Sequence, residues 1–257
     1  MNALHLTIRP WRMAALGLLV VLAQGCATGP NANPADPLEP FNRTVFNVNE
    51  GLDRAILIPV ATAYKDVTPF PVRTGVSNFL NNIADVWSVA NNALQLKPKE
   101  TLETGMRVAF NSIFGLAGVI DIGTEMRLPR NKQDFGQTLG YWGVQSGAYV
   151  VLPFFGPSSV RDSLGTVVGS SADIVRNIKN VPARNSLTGL RVVDKRAEFL
   201  GAEAALEQAS LDKYSFTRDL YLQRRANSIG RNTAPEDTGS NEERYDLPVP
   251  VTIPAAK

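Results

Sequence analysis

From about residue 36 to residue 230, apolar positions recur mostly at three- and four-residue steps, the period of helices with one apolar face. The clearest case is Val76, Phe79, Leu80, Ile83, Val86, Trp87, Ala90 and Leu94, a stripe about five turns long at 3.6 residues per turn. A second helix is predicted to open after Lys97, with Pro98 in its first turn where a missing N–H costs nothing, and to run through Leu102, Met106, Ala109, Phe110 and Ile113. Upstream, Phe41, Val45, Val48 and Leu52 followed by Ile56, Leu57 and Ile58 predict two helices broken at Pro59. Downstream, Leu187, Leu190, Val193, Ala197 and Leu200 predict another, and Asp212 stands as N-cap of a last helix through Phe216, Leu220 and Tyr221. Alternating strand patterns with hairpin turns are scarce, and Tyr149-Val150-Val151-Leu152 is the main exception.

Two apolar segments do not fit a helical bundle. Asn111 to Gly123 carries Gly115, Gly118 and Gly123, and Gly147 to Pro157 carries Pro153, Gly156 and Pro157. One reading makes them tight turns and close helix contacts inside a core. The other puts Phe114, Trp142, Phe154 and Phe155 against a membrane, at the boundary of acyl chains and headgroups. Neither segment is long enough to span a bilayer.

The ends read differently from the body. Arg9 and Arg12 precede an apolar run from Met13 to Ala23, and Leu22-Ala23-Gln24-Gly25-Cys26 then resembles a bacterial lipobox, so residues 1–25 are expected to be a signal peptide and Cys26 the lipidated residue. Several acyl chains on one Cys anchor durably where one chain does not. Ala27 follows, where Asp is the usual inner-membrane retention signal, and this points to the outer membrane. Residues 26–35 read as a polar tether, 36–230 as a single helical domain without internal repeats, and the proline-rich, polar 231–257 as a disordered tail.

Composition narrows the chemistry. His5, the only histidine, leaves with the signal peptide, and without Arg9 and Arg12 the remaining 24 basic residues balance 24 acidic ones. No basic bias toward nucleic acid survives. With the single Cys acylated and no histidine, Ser-His-Asp and Cys-His catalysis and His or Cys metal sites are excluded, and no cofactor is expected. Glu100 with Glu103, and Glu203 with Glu207, sit at helical steps and read as solvated faces, and Arg218-Asp219 as a surface or interhelix pair. Esterase-elbow and P-loop signatures are missing.

Five motifs in order carry a family resemblance: Asp36-Pro-Leu-Glu-Pro-Phe-Asn-Arg43, Val76-Ser-Asn-Phe-Leu-Asn-Asn-Ile83, Arg107-x-x-x-Asn111 with Gly115, Gly118 and Asp121, Asp134-Phe-Gly-Gln-Thr-Leu-Gly140, and Leu152-Pro-Phe-Phe-Gly-Pro-Ser-Ser-Val-Arg-Asp162. Together they resemble the MlaA (VacJ) lipoproteins over most of residues 36–225. The resemblance implies an all-α fold, a ring of short amphipathic and broken helices lying in the inner leaflet of the outer membrane. It implies trimeric porins as neighbours and an amphipathic pore through which misplaced phospholipids pass to a soluble periplasmic carrier, with no reaction catalysed. Arg43, Arg161 and Asp162, charged positions within these motifs, are the candidates for meeting a lipid headgroup along that path; the alternative is that Arg161 and Asp162 brace the fold. A porin-bound scaffold and a lipid-cleaving enzyme are the rival functions.

Overall fold

The structure is a computed structural model, and it describes Asn33, residues 36–201 and residues 210–230. The signal peptide, Cys26, nearly all of the tether, Glu203, Glu207 and the tail lie outside the described residues. Helices α1 (Glu39–Leu52), α2 (Ile58–Val67), α3 (Phe70–Leu94) and α4 (Pro98–Ile113) come first. Short α5 (Ile122–Glu125) and α6 (Phe135–Tyr141) follow, then strands β1 (Tyr149–Leu152) and β2 (Gly156–Ser159), and finally α7 (Val160–Ala172), α8 (Val181–Phe199) and α9 (Lys213–Gly230).

Several local signals act as the sequence predicts. Pro98 begins α4, and Asp212 caps α9 by accepting the N–H groups of Tyr214 and Ser215 at 3.1 and 3.4 Å. Pro59 does something different. The chain does not break there: α1 runs into one π-helical turn, Asp53–Leu57, in which the Ile58 N–H donates to the Asp53 carbonyl, and α2 continues from it. A proline has no N–H to give and its ring crowds the carbonyl four residues back, so one wider turn ahead of it lets the helix go on.

The hairpin is the second departure. β1 lies where the sequence put it, but the irregular stretch after it returns as β2, antiparallel, with Tyr149 opposite Ser159 and Leu152 opposite Gly156. The connection turns tightly through left-handed Phe154 (φ 66°) and Gly156 (φ 78°). Two asparagines of α1, spaced by two turns, complete the other edge of β1. Asn42 accepts the Val151 N–H at 2.9 Å and donates to the Tyr149 carbonyl at 3.0 Å, while Asn49 accepts the Phe154 N–H and donates to the Leu152 carbonyl, both at 2.9 Å. A two-stranded ribbon is marginal alone, and here a helix supplies the missing hydrogen bonds.

Packing closes into a ring. α1 packs on β1, the hairpin on α7, α7 on α6, α6 on α3, α3 on α8, α8 on α2, and α2 leads back through the π turn to α1. α9 crosses from α6 to β2, and α4 lies against α3. The α6–α7 contact is nearly backbone to backbone: a Cβ on Gly165 would stand 2.5 Å from the Gly136 nitrogen. Tyr149, Val151 and Tyr214 form a small apolar cluster where α9 meets the hairpin.

The helices are turned inside out. Among the described residues, six apolar side chains are buried against nineteen polar or charged ones. On α3 the buried positions include Asn82, Asp85, Ser88, Asn91 and Asn92, whereas Val86 and Leu94 of the apolar stripe are exposed. On α4, Thr104, Arg107 and Asn111 are buried while Leu102, Met106 and Ile113 face out, and on α7 Arg161 and Asp162 are buried while Leu164, Val167 and Val168 face out. Surface apolar patches and buried polar groups are the informative departures from the usual distribution. No helix of the described residues is long and apolar enough to cross a membrane.

Candidate functional site

Buried polar groups need partners, and the family motifs supply them. Arg107, at the inner face of α4, donates from one guanidinium nitrogen to both oxygens of Asp121, each at 2.8 Å, and from another to the Leu128 carbonyl at 2.6 Å. One turn on, Asn111 donates to Asp121 at 3.1 Å and accepts the Gly123 N–H at 2.8 Å. The Gly-rich loop is thus clamped from behind while Phe114 and Leu116 project outward from it. Gly118 takes a left-handed φ of 97° and abuts Asn82, so no side chain fits there.

A second clamp ties α7 to α9. The Asp162 carboxylate accepts from Arg161 Nε at 2.9 Å, Tyr221 Oη at 2.6 Å and Arg225 Nε at 2.7 Å. Arg225 also makes a bidentate pair with Asp134 at 2.6 and 2.7 Å, and Asp134 caps α6 through the Gln137 N–H at 2.9 Å. Burial pushes the Asp162 carboxyl up, but the bonds from Arg225, Arg161 and Tyr221 outweigh it and hold the group well below the usual carboxylate range. Arg161 and Asp162 are both almost fully buried and bonded to each other, which is the geometry of the bracing alternative. Arg43 lies elsewhere, against Asp212 at 2.6 Å and Glu39 at 2.7 Å with its guanidinium 4.4 Å from the Tyr214 ring centroid. The three candidate charges therefore do not converge on one cavity. The four aromatic candidates, Phe114, Trp142, Phe154 and Phe155, are all exposed, Phe154 at the hairpin tip by 85%.

A cavity of about 510 Å³ opens among α3, α7, α8 and α9. Its wall mixes charged side chains (Asp134, Asp173, Arg176, Arg191, Arg225) with apolar ones (Trp87, Phe155, Val192). Arg191 is tied to Asp173 at 2.5 Å, whereas Arg176 is exposed and makes no ion pair among the described residues. A further space of about 310 Å³ lies beyond Phe155, between Gly156, Phe46 and the end of α8 at Phe199. Sequence reasoning missed Arg176, Arg191 and Arg225 because no motif contains them. Asp134, inside a quoted motif, was the available signal for Arg225.

The depressed carboxylates fix a pH dependence. Asp121, Asp162 and Asp173 all have folded pKa values below their ordinary ones. Their stabilisation is complete above the unfolded value of about 3.9 and is lost as pH falls through the folded values. Buried Asp194, pushed up mainly by burial, acts with the opposite sign. The detergent-solubilised protein is therefore expected to hold a constant Tm from pH 7 to about 5 and to lose stability steeply below about 4.

The molecule is thus a helical ring with exposed apolar faces, a buried polar frame and a cavity of mixed polar and apolar lining. The MlaA lipoprotein family model matches residues 34–228, and the chain belongs to that family. It is 36% identical over 219 residues to the intermembrane phospholipid transport system lipoprotein MlaA of Escherichia coli strain K12, covering 83% of this chain and 86% of that one. The protein of the same name from Haemophilus influenzae is 32% identical over 216 residues, covering 80% and 85%. A solved structure described as the structural basis for maintenance of bacterial outer membrane lipid asymmetry superposes with a TM-score of 0.67 at 33% identity. It covers 76% of this chain and 98% of its own.

Proposed function

We propose that this phospholipid-transport lipoprotein lies in the periplasmic leaflet of the outer membrane, held by acyl chains on Cys26, and that phospholipids leave the outer leaflet through the hole of its ring. The observation that carries this reading is the inverted polarity of α3, α4 and α7. Outward apolar faces suit acyl chains, and the buried charges of the Arg107–Asp121 and Asp162–Arg225 clamps are paired within the protein, as polar groups beside lipid must be. The exposed aromatics Phe114, Trp142, Phe154 and Phe155 suit the leaflet boundary. Arg176 and Arg191 stand where a phosphate would pass, with Trp87 and Val192 beside them for the chains. Arg161 and Asp162 serve this route by holding its wall rather than by touching lipid. Trimeric porins offer an apolar outer wall to a protein of this kind, and a soluble periplasmic carrier would receive the lipid. Function is transport and no bond is made or broken.

Thr166 lines the cavity and is exposed, and its hydroxyl bonds the Asp162 backbone carbonyl and not the carboxylate, so Thr166→Trp is expected to obstruct passage while leaving the clamp's ion pairs in place. Cells carrying this variant at normal abundance should accumulate outer-leaflet phospholipid like cells lacking the gene. Normal lipid asymmetry in them would contradict the route.

A further inference from the structure

Away from the hole, a groove of about 400 Å³ opens between α2, the N-terminal half of α3 and the C-terminal half of α8. It holds two opposite charges that neither pair with each other nor find other ion-pair partners among the described residues. Among the described residues Arg73 makes no side-chain hydrogen bond or ion pair, its Nε is shielded from solvent without an acceptor, and its guanidinium lies 5.9 Å from the Phe70 ring centroid. Asp194 is buried and, among the described residues, has no cation within 4.0 Å; it accepts from the Tyr64 hydroxyl at 3.0 Å. Nearby Glu198 is already occupied by Lys195 and Ser77.

An unpaired guanidinium and an unpaired buried carboxylate each carry a desolvation cost that a partner would offset. Burial indeed pushes the Asp194 carboxyl up. Had the fold needed only mutual neutralisation, the two side chains would have closed into one ion pair. Both line one groove without pairing, and a ligand that carries an anion and a cation would meet each of them. The rim is apolar: Phe70 and Val72 are exposed beside Arg73, and Val67 just before them. Phosphate on Arg73 would leave attached acyl chains lying over that rim.

We infer that the groove between α2, α3 and α8 is a second lipid site, separate from the hole, that takes the headgroup of a zwitterionic aminophospholipid with phosphate at Arg73 and ammonium at Asp194. The site rests on the leaflet reading only for its chains. The headgroup chemistry stands on the two charges alone, and free phosphoethanolamine shares it.

The test uses the full-length protein in detergent, stripped of lipid, in the Thr166→Trp background so that the hole does not contribute. Binding of dihexanoyl phosphatidylethanolamine, dihexanoyl phosphatidylglycerol and free phosphoethanolamine is measured by calorimetry. The site predicts at least tenfold tighter binding of the ethanolamine lipid than of the glycerol lipid. It also predicts a loss of tenfold or more on both lipids in Arg73→Gln, and a lost preference with retained glycerol-lipid binding in Asp194→Asn. Arg73 has no bonds to lose, so its variant reports even if Asp194→Asn misfolds. Equal affinity for both lipids in the unsubstituted groove, or no effect of Arg73→Gln, would overturn the site. Free phosphoethanolamine binding as tightly as the lipid would overturn the assignment to lipid. Failure of the transport route appears in the cellular assay of Thr166→Trp, so the two readings fail separately.

Discussion

Asp162→Ala is expected to be among the most destabilising substitutions in this protein, by about 3–5 kcal/mol, because it strands partners in a buried site. Arg161 would lose its carboxylate and keep only the Val144 carbonyl at 3.2 Å, and the Tyr221 hydroxyl would lose its acceptor. Arg225 would retain Asp134, so the link between α6 and α9 survives while that between α7 and α9 does not. Denaturant unfolding in detergent checks this, with abundance in cells falling in parallel. Asp162→Asn keeps shape and accepting oxygen and should lose less. A fully stable Asp162→Ala protein defective only in lipid removal would instead return Asp162 to the lipid path.

The hairpin tip gives the second large effect, and here the fold should be untouched. Phe154 and Phe155 are exposed, and the local hydrogen bond to Asn49 comes from the Phe154 backbone. Burial of a Phe contributes roughly 1.5–3 kcal/mol when complete, so two partly inserted rings contribute about 3 kcal/mol, or about a hundredfold in partitioning. The double variant Phe154→Asn, Phe155→Ser, with Asn chosen because position 154 is left-handed, is expected to bind vesicles about a hundredfold more weakly on a Cys26→Ala chain lacking its lipid. Vesicle co-sedimentation reads it. Unchanged partitioning would remove the hairpin from the membrane interface.

How much of this was legible in the sequence depends on the distance over which each decision is made. The α3 stripe and the ends marked by Pro98 and Asp212 are local, and the chain follows them. Which face of α3 turns inward is not local. Periodicity separates Val86 and Leu94 from Asp85 and Asn92 but does not say which set meets a core. The π turn before Pro59 escaped notice because it conserves the helix axis rather than ending it. Gly156-Pro-Ser-Ser159 has no strand propensity and forms β2 because β1 offers an edge that Asn42 and Asn49 stabilise from the far side. The charge candidates were found by their place within motifs, a criterion that selects buried pairs as readily as ligand sites. Arg161 and Asp162 are such a pair, and of the charged wall only Asp134 lies in a motif, while Asp173 and Arg176 of the α7–α8 connection, Arg191 of α8 and Arg225 of α9 lie outside any.

The central claim is removal of phospholipid from the outer leaflet by a membrane-anchored ring. The most direct measurement is the amount of phospholipid reached by an impermeant probe on intact cells lacking the gene, complemented with the wild-type or the Cys26→Ala chain. The account predicts a rise on deletion that wild type reverses and Cys26→Ala does not. No rise, in a strain without a second copy, would contradict transport and leave a porin-associated scaffold.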